Sequence, residues 1–400
     1  MKLPTASVPI ALASAVSLGA QVLFSLVMLR LFSPESVGEF SVVSQIAFFW
    51  MTLALAQSPL KLLADVHRPP LQALRAALGG SLLRWGLLLP VAVLAVYWSA
   101  LPHAGQMFVW LALLALLQMG WYLAQPLTLR TASPRSIALG RAVPPVVALT
   151  VVAVAAGLWP QGGSTPLLLA AACAYGVGAL WLLPAVGAAA PRSGAAPATA
   201  APSVQFDNRS TALRLTHTTA DAVLAVAILL VWQRSHGTVQ AGYLALLLRL
   251  LGFVPTVIHT AWAQVLLSQG TRPRLSPLWV GSGGAAITGL LGLLCVAAVQ
   301  MNLLTASWFP IVSVLLPVVL WQAAACLLAA CSYLPFQQGR ASAFSYAAIG
   351  VDALQLLVLV APLLLDRPVA VTTHAWWLGG ASTLGLMALS FSLLRARAQK

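Results

Sequence analysis

Long apolar runs, separated by short stretches rich in Gly, Pro or charge, take up most of the chain. A helix needs about 20 apolar residues to cross a bilayer. Runs of that size fall at 8–30, 38–60, 82–102, 107–126, 137–160, 166–186, 211–233, 240–268, 276–300, 311–334, 341–365 and 369–394. They predict an all-α, polytopic membrane protein with about twelve transmembrane helices. The first run is too long for the core of a secretion signal and is read as a helix.

The breaks carry the rest of the organisation. Pro34 and Gly38 mark a tight turn after the first helix. Lys61–Gly80 reads as a short interfacial segment, with Leu62, Leu63 and Val66 on one face and Pro69-Pro70 ending it. Pro144-Pro145 predicts a kink in the fifth helix. Residues 187–210 are Ala/Pro/Ser-rich and read as a flexible cytoplasmic linker. The linker divides an N-terminal six-helix lobe, 1–186, from a C-terminal one, 211–400.

The two halves echo each other. Ser14, Ser17, Gln21 and Ser25 make a polar face on the first helix, and Arg214, His217, Asp221 and Ala225 repeat its spacing 200 residues later. With a four-residue slip, Val37-Gly38-Glu39-Phe40 matches Ala241-Gly242-Tyr243-Leu244. The same register sets Gln45 opposite Arg249 and Thr52 opposite Thr256. An even number of spans per repeat gives both halves one orientation. The expectation is two pseudo-symmetric six-helix bundles related by an axis along the membrane normal, with a site between them.

Composition excludes an ordinary soluble domain: the chain is 60% hydrophobic and 7% charged, against roughly 25% charged for soluble proteins. The net charge of +14 raises the question of nucleic acid, and the location of the basic residues answers it. With a cytoplasmic N-terminus, Arg30, Arg234 and Arg367 fall on the far side and Arg249 inside the membrane; every other Lys and Arg falls in cytoplasmic loops and tails. This is the positive-inside pattern. It places both termini in the cytoplasm and implies contact with anionic lipid headgroups, not nucleic acid. Cys173, Cys295, Cys326 and Cys331 lie inside apolar runs without metal-site spacing and read as small apolar residues. No cofactor, metal or catalytic residue is expected.

Chemistry concentrates in 210–260. Arg214, His217 and Asp221 fall within roughly 60° of one another around a helix axis. Charges in the bilayer core are costly and usually face a cavity or pair with each other. Arg249 shares a helical face with Gly252, Thr256 and Thr260. A guanidinium offers a permanent charge and a fork of donors that matches phosphate oxygens; the plainer reading is that Arg249 snorkels or pairs with Asp221. Asp221 is either a protonation site for ion coupling or a counter-ion for an arginine. His217 relays protons, binds sugar or simply bridges helices. Arg30, at a helix end, reads first as interfacial, and His259 is a weaker candidate. Asp352 stands alone in its helix beside Gly350, a functional suspect with no partner evident. Trp232, Trp308, Trp376 and Trp377 lie near helix ends and read as interfacial anchors. Gly281-Ser-Gly-Gly284 reads as close helix packing.

The stretch Arg30-Leu-Phe-Ser-Pro-Glu-Ser-Val-Gly-Glu-Phe40 resembles the opening of bacterial polysaccharide-unit flippases, the O-antigen and capsule translocases of the multidrug/oligosaccharidyl-lipid/polysaccharide exporter superfamily. Thr218-Thr-Ala-Asp221, Ala241-Gly-Tyr243 and Arg249 are similar to that family's second half. The resemblance implies flipping of undecaprenyl-pyrophosphate-linked oligosaccharide across the bacterial inner membrane by alternating access, coupled to H⁺ or Na⁺. Substrate contacts would come from Arg249, Arg214, His217, Arg30, Gln21, Gln45 and Thr256, and ion coupling from Asp221. The expected state is a monomer working beside other glycan-assembly proteins. The competing reading is a cation-coupled multidrug exporter of the same fold, which would suit a predominantly acidic cavity. A glycan polymerase or glycosyltransferase is disfavoured by short periplasmic loops and by only seven acidic residues in the chain.

Overall fold

The structure is a computed structural model that describes residues 7–56, 58–64, 68–131, 134–180, 208–263, 266, 275–365 and 369–398. Among these residues it is all-helical. Nine helices are long and apolar enough to cross a membrane, up to ten if a bent pair counts as one span, and Val16–Leu31 and Thr165–Leu180 are shorter apolar helices. The protein is a polytopic membrane protein. Most of the expected linker, 187–207, lies outside the described residues, and its last three residues already belong to a helix that starts at Asn208.

The chain forms two compact units, Met1–Phe32 with Glu39–Gln205 and Ser33–Gly38 with Phe206–Lys400. In the first, α1 (Ser7–Leu31), α2 (Pro34–Leu55, whose first turn through Gly38 belongs to the second unit), α3 (Ser58–Ala64), α4 (Pro70–Leu87), α5 (Leu89–Trp98), α6 (Ala104–Thr131), α7 (Pro134–Leu158) and α8 (Thr165–Leu180) follow in order. Here α7 packs on α1 and α8, and α6 packs on α3, α4 and α8. α7 runs unbroken through Pro144 and Pro145.

The third span differs from the single helix expected over 82–102. Pro70 occupies the first position of α4, where a missing N–H costs nothing. α4 and α5 meet at a 47° bend. Pro90 sits in the first turn of α5; it donates no hydrogen bond and its ring crowds the preceding turn, the usual physical cause of such a bend. Trp85, just before the bend, stacks on Trp50 with ring centroids 4.5 Å apart, and its carbonyl accepts a bond from Trp50 Nε1 at 3.0 Å. Leu62, expected at the interface, is buried, and its helix α3 packs on α4 and α6.

In the second unit come α9 (Asn208–His236), α10 (Thr238–Ile258, continued by one wide turn, His259–Ala263), α11 (Pro277–Gln300), α12 (Val312–Cys331), α13 (Leu334–Gln337), α14 (Ala341–Leu364) and α15 (Val371–Ala398). α12 is central: it packs on α10, α11 and α15, while α14 packs on α9 and α15. Close approaches rely on glycine. A Cβ at Gly281 would sit 2.9 Å from Leu327 Cα, and one at Gly284 would strike Ile258. The first turn of α2 crosses α10 in the same way. A Cβ on Gly38 would strike the carbonyl of Thr238, and one on Gly242 the carbonyl of Pro34. Each glycine meets the carbonyl four residues before the other, so this crossing is locally two-fold.

Two tryptophans read as interfacial anchors are core residues. Trp232 and Trp308 are fully buried, whereas Trp376 and Trp377 are exposed. Trp308 packs edge-on against Tyr243 at 5.7 Å. Trp232 stacks on His374 with centroids 4.8 Å apart. In both cases another helix covers an aromatic at a helix end, which periodicity along one helix does not reveal.

Candidate functional site

Three potential ligands converge where α9 packs on α14. His217 and Asp221 are one turn apart, so their side chains stack on one face of α9. His217 Nε2 lies 3.7 Å from Asp221 Oδ2. The ring of His217 meets Phe344 of α14 edge-on at 5.9 Å. Asp352 rises from the middle of α14, about 16 Å along the axis from its first residue. One ligand atom from each of His217, Asp221 and Asp352 lies within 4.8 Å of the others. The acid with no evident partner in the sequence thus finds one 131 positions away.

The electrostatics of this group are demanding. Four acidic residues of the chain lie in described positions, Glu35, Glu39, Asp221 and Asp352, and two of them meet here. Asp352 Oδ2 is buried and accepts no hydrogen bond among the described residues. His217 is 20% and Asp221 58% exposed, so the group is open on the α9 side. Two carboxylates this close in a low-dielectric setting call for a proton or a cation between them. The set offers one imidazole nitrogen and two carboxylates, one with an orphaned oxygen, and oxygen donors of this kind suit a hard cation or a proton. Next to it is a cavity of about 490 Å³, lined by Thr216, Thr219, Asp352 and apolar residues of α9 and α14. Asp352 is its one titratable lining residue among those described.

The remaining expected site residues are spread over both units. Arg249, Thr256 and Thr260 form an exposed polar face of α10. Thr256 Oγ1 donates to the Gly252 carbonyl at 2.8 Å and Thr260 Oγ1 to that of Thr256 at 2.9 Å. Thr52, matched to Thr256 in the sequence repeat, donates to Phe48 in the same way at 2.7 Å. In the first unit Arg30 and Gln21 are exposed on α1 and Gln45 is half-buried on α2. Gln21 Nε2 donates to Ser17 Oγ at 3.2 Å. Arg214 belongs to α9, but its side chain, like that of Ser14, lies outside the described residues.

One cluster was not anticipated. His236 Nε2 and His374 Nδ1 are 2.8 Å apart, and both rings lie against Trp232. His374 is fully buried. The available signal was two histidines at matching ends of helices α9 and α15, too weak without the packing.

Fold and site together define a polytopic membrane protein whose second unit brings His217, Asp221 and Asp352 together. Searches of solved structures agree on the fold. The chain is similar to the "Lipid II flippase MurJ, inward closed conformation", with TM-score 0.64 and 12% identity over 97% of this chain and 87% of that one. It is also similar to an inward-facing multidrug resistance MATE family transporter of the MOP superfamily, with TM-score 0.53 and 11% identity over 96% and 94% of the two chains. For the eukaryotic MATE transporter AtDTX14 the values are 0.51 and 15% over 98% and 97%. No protein-family profile and no curated protein sequence matches the chain. The chain therefore has the fold of these three proteins.

Proposed function

We propose that the protein flips undecaprenyl-pyrophosphate-linked oligosaccharide units across the bacterial inner membrane by alternating access, coupled to a monovalent cation or proton. The observation that carries the flipping reading is a fold more similar to the Lipid II flippase, at TM-score 0.64, than to two MATE transporters, at 0.53 and 0.51; the meeting of Asp221 with Asp352 supports only the ion coupling. A bound monovalent cation or proton cancels one of the two carboxylate charges and relieves their repulsion. Without it, repulsion biases α9 against its packing on α14. His217 holds Asp221 from the same helix and orients it toward Asp352. Arg249 supplies the permanent positive charge that an anionic pyrophosphate head needs in a low-dielectric path. Thr256, on the same exposed face, offers hydroxyl contacts for sugar.

The test is genetic and biochemical. A strain lacking the protein accumulates lipid-linked units on the cytoplasmic side, and wild type restores surface glycan. Arg249→Ala fails to restore it. Full restoration by Arg249→Ala sinks the role of that residue, and a deletion without any glycan phenotype sinks the reading. The second reading, a cation-coupled multidrug exporter, is favoured by the acid pair itself and predicts drug sensitivity in the deletion strain with normal surface glycan.

A further inference from the structure

The first unit holds a cavity of about 500 Å³ where α3 meets α4, lined in part by Ser58, Lys61, Arg68, Gly80 and Arg84. Three of its lining residues are cations, and none of those described is an acid. Arg84 is fixed in place. Its Nε donates to the Ala54 carbonyl at 2.7 Å, and its Nη2 to Leu55 O at 3.3 Å, Ser58 Oγ at 2.8 Å and Ser81 Oγ at 3.3 Å. These bonds use Nε and Nη2. Nη1 lies 3.5 Å from the position a Cβ would take on Gly80, a residue of the cavity wall. Ala73, Ala76, Ala77, Gly80 and Arg84 share one face of α4, so small side chains leave the space in front of the guanidinium open. Lys61 and Arg68, also in the lining, are exposed. The result is one pre-organised cation, two exposed ones and an apolar floor.

We propose that this cavity binds a phosphate-bearing group, as the headgroup of an anionic phospholipid or as a soluble phosphate ester. Its volume falls in the range of about 300–1,000 Å³ typical of ligand pockets and leaves room for more than a bare ion. Basic pockets between membrane helices are the usual recognition element for lipid phosphates. The site lies in the unit without the acid pair, so it stands or falls independently of the transport reading.

The test uses the purified full chain in phosphatidylcholine nanodiscs. Phosphatidylglycerol is titrated into the discs, and glycerol 3-phosphate and inorganic phosphate into the buffer; binding is read by native mass spectrometry and thermal shift. Lys61→Gln combined with Arg68→Gln weakens binding by roughly tenfold or more. Gly80→Val keeps every charge but fills the space before Arg84, and weakens binding to a similar extent. Arg75→Gln, on α4 but outside the cavity lining, leaves binding unchanged. Binding of phosphatidylglycerol alone identifies a lipid headgroup; equal binding of glycerol 3-phosphate identifies the phosphate ester itself. The proposal is overturned if wild type shows no preference for either over phosphatidylcholine. It is also overturned if Gly80→Val and the Lys61/Arg68 variant both bind as wild type does.

Discussion

Asp352→Asn isolates the acid pair with almost no change in shape. The ligand atoms of Asp221 and Asp352 lie within 4.8 Å. At an effective dielectric of about 20, two unit charges at that distance repel by about 3 kcal/mol. Asp221 is 58% exposed, so solvent screening reduces this to about 1–2 kcal/mol. The amide removes the repulsion, and the variant melts above wild type in a buffer with choline as the sole cation. Wild type gains stability on adding sodium, about 2.7 kcal/mol when the ion stands at 100 times its Kd. The variant loses that gain, because a neutral amide leaves the site with half its charge. Thermal unfolding in detergent, with sodium titrated against choline at constant ionic strength, measures both effects. If the proton is the coupling ion, the same contrast between the two proteins appears on acidification. Retention of the full ion-dependent shift by Asp352→Asn would refute the assignment, and so would a wild type that responds to neither ion nor acid.

Other expectations concern packing and transport. Gly242→Ala places a methyl group on the Pro34 carbonyl and lowers the melting temperature, at a cost of about 1–3 kcal/mol, read by the same thermal assay. His374→Phe keeps the stack on Trp232 but removes the bond to His236, destabilising by about 1–3 kcal/mol; His374→Ala also opens a cavity and costs more. Arg249→Ala lowers translocation of the lipid-linked unit in a reconstituted flipping assay, because the permanent charge on the exposed face of α10 is lost.

Among the described residues, nine of the twelve apolar runs became helices long enough to span, a tenth became the bent pair of α4 and α5, and two are shorter apolar helices, because an apolar segment in lipid satisfies its backbone best as a helix. His217 and Asp221 were likewise legible as neighbours, since a four-residue spacing fixes the approach within one helix. So was the Gly281–Gly284 stretch as a point of close packing. Asp352 shows where that legibility ends. Its own helix explains nothing about it, and the partner lies on a helix more than a hundred residues earlier. Trp232 and Trp308 make the same point for apolar contacts. Position near a helix end fits an interfacial anchor and a buried stack equally well until the neighbouring helix is in place.

By itself, the chain's order of apolar runs, breakers and basic residues determined a polytopic helical protein and which polar residues share a helix face. These depend on interactions within one turn or on transfer of each segment into lipid, both local properties. Tertiary packing alone decided that Asp221 meets Asp352, that His374 is sealed against Trp232 and His236, and that Arg84 closes a basic cavity with Lys61 and Arg68. Each of those depends on which helices lie side by side, and helices of nearly uniform hydrophobicity carry little in their sequence to specify a neighbour.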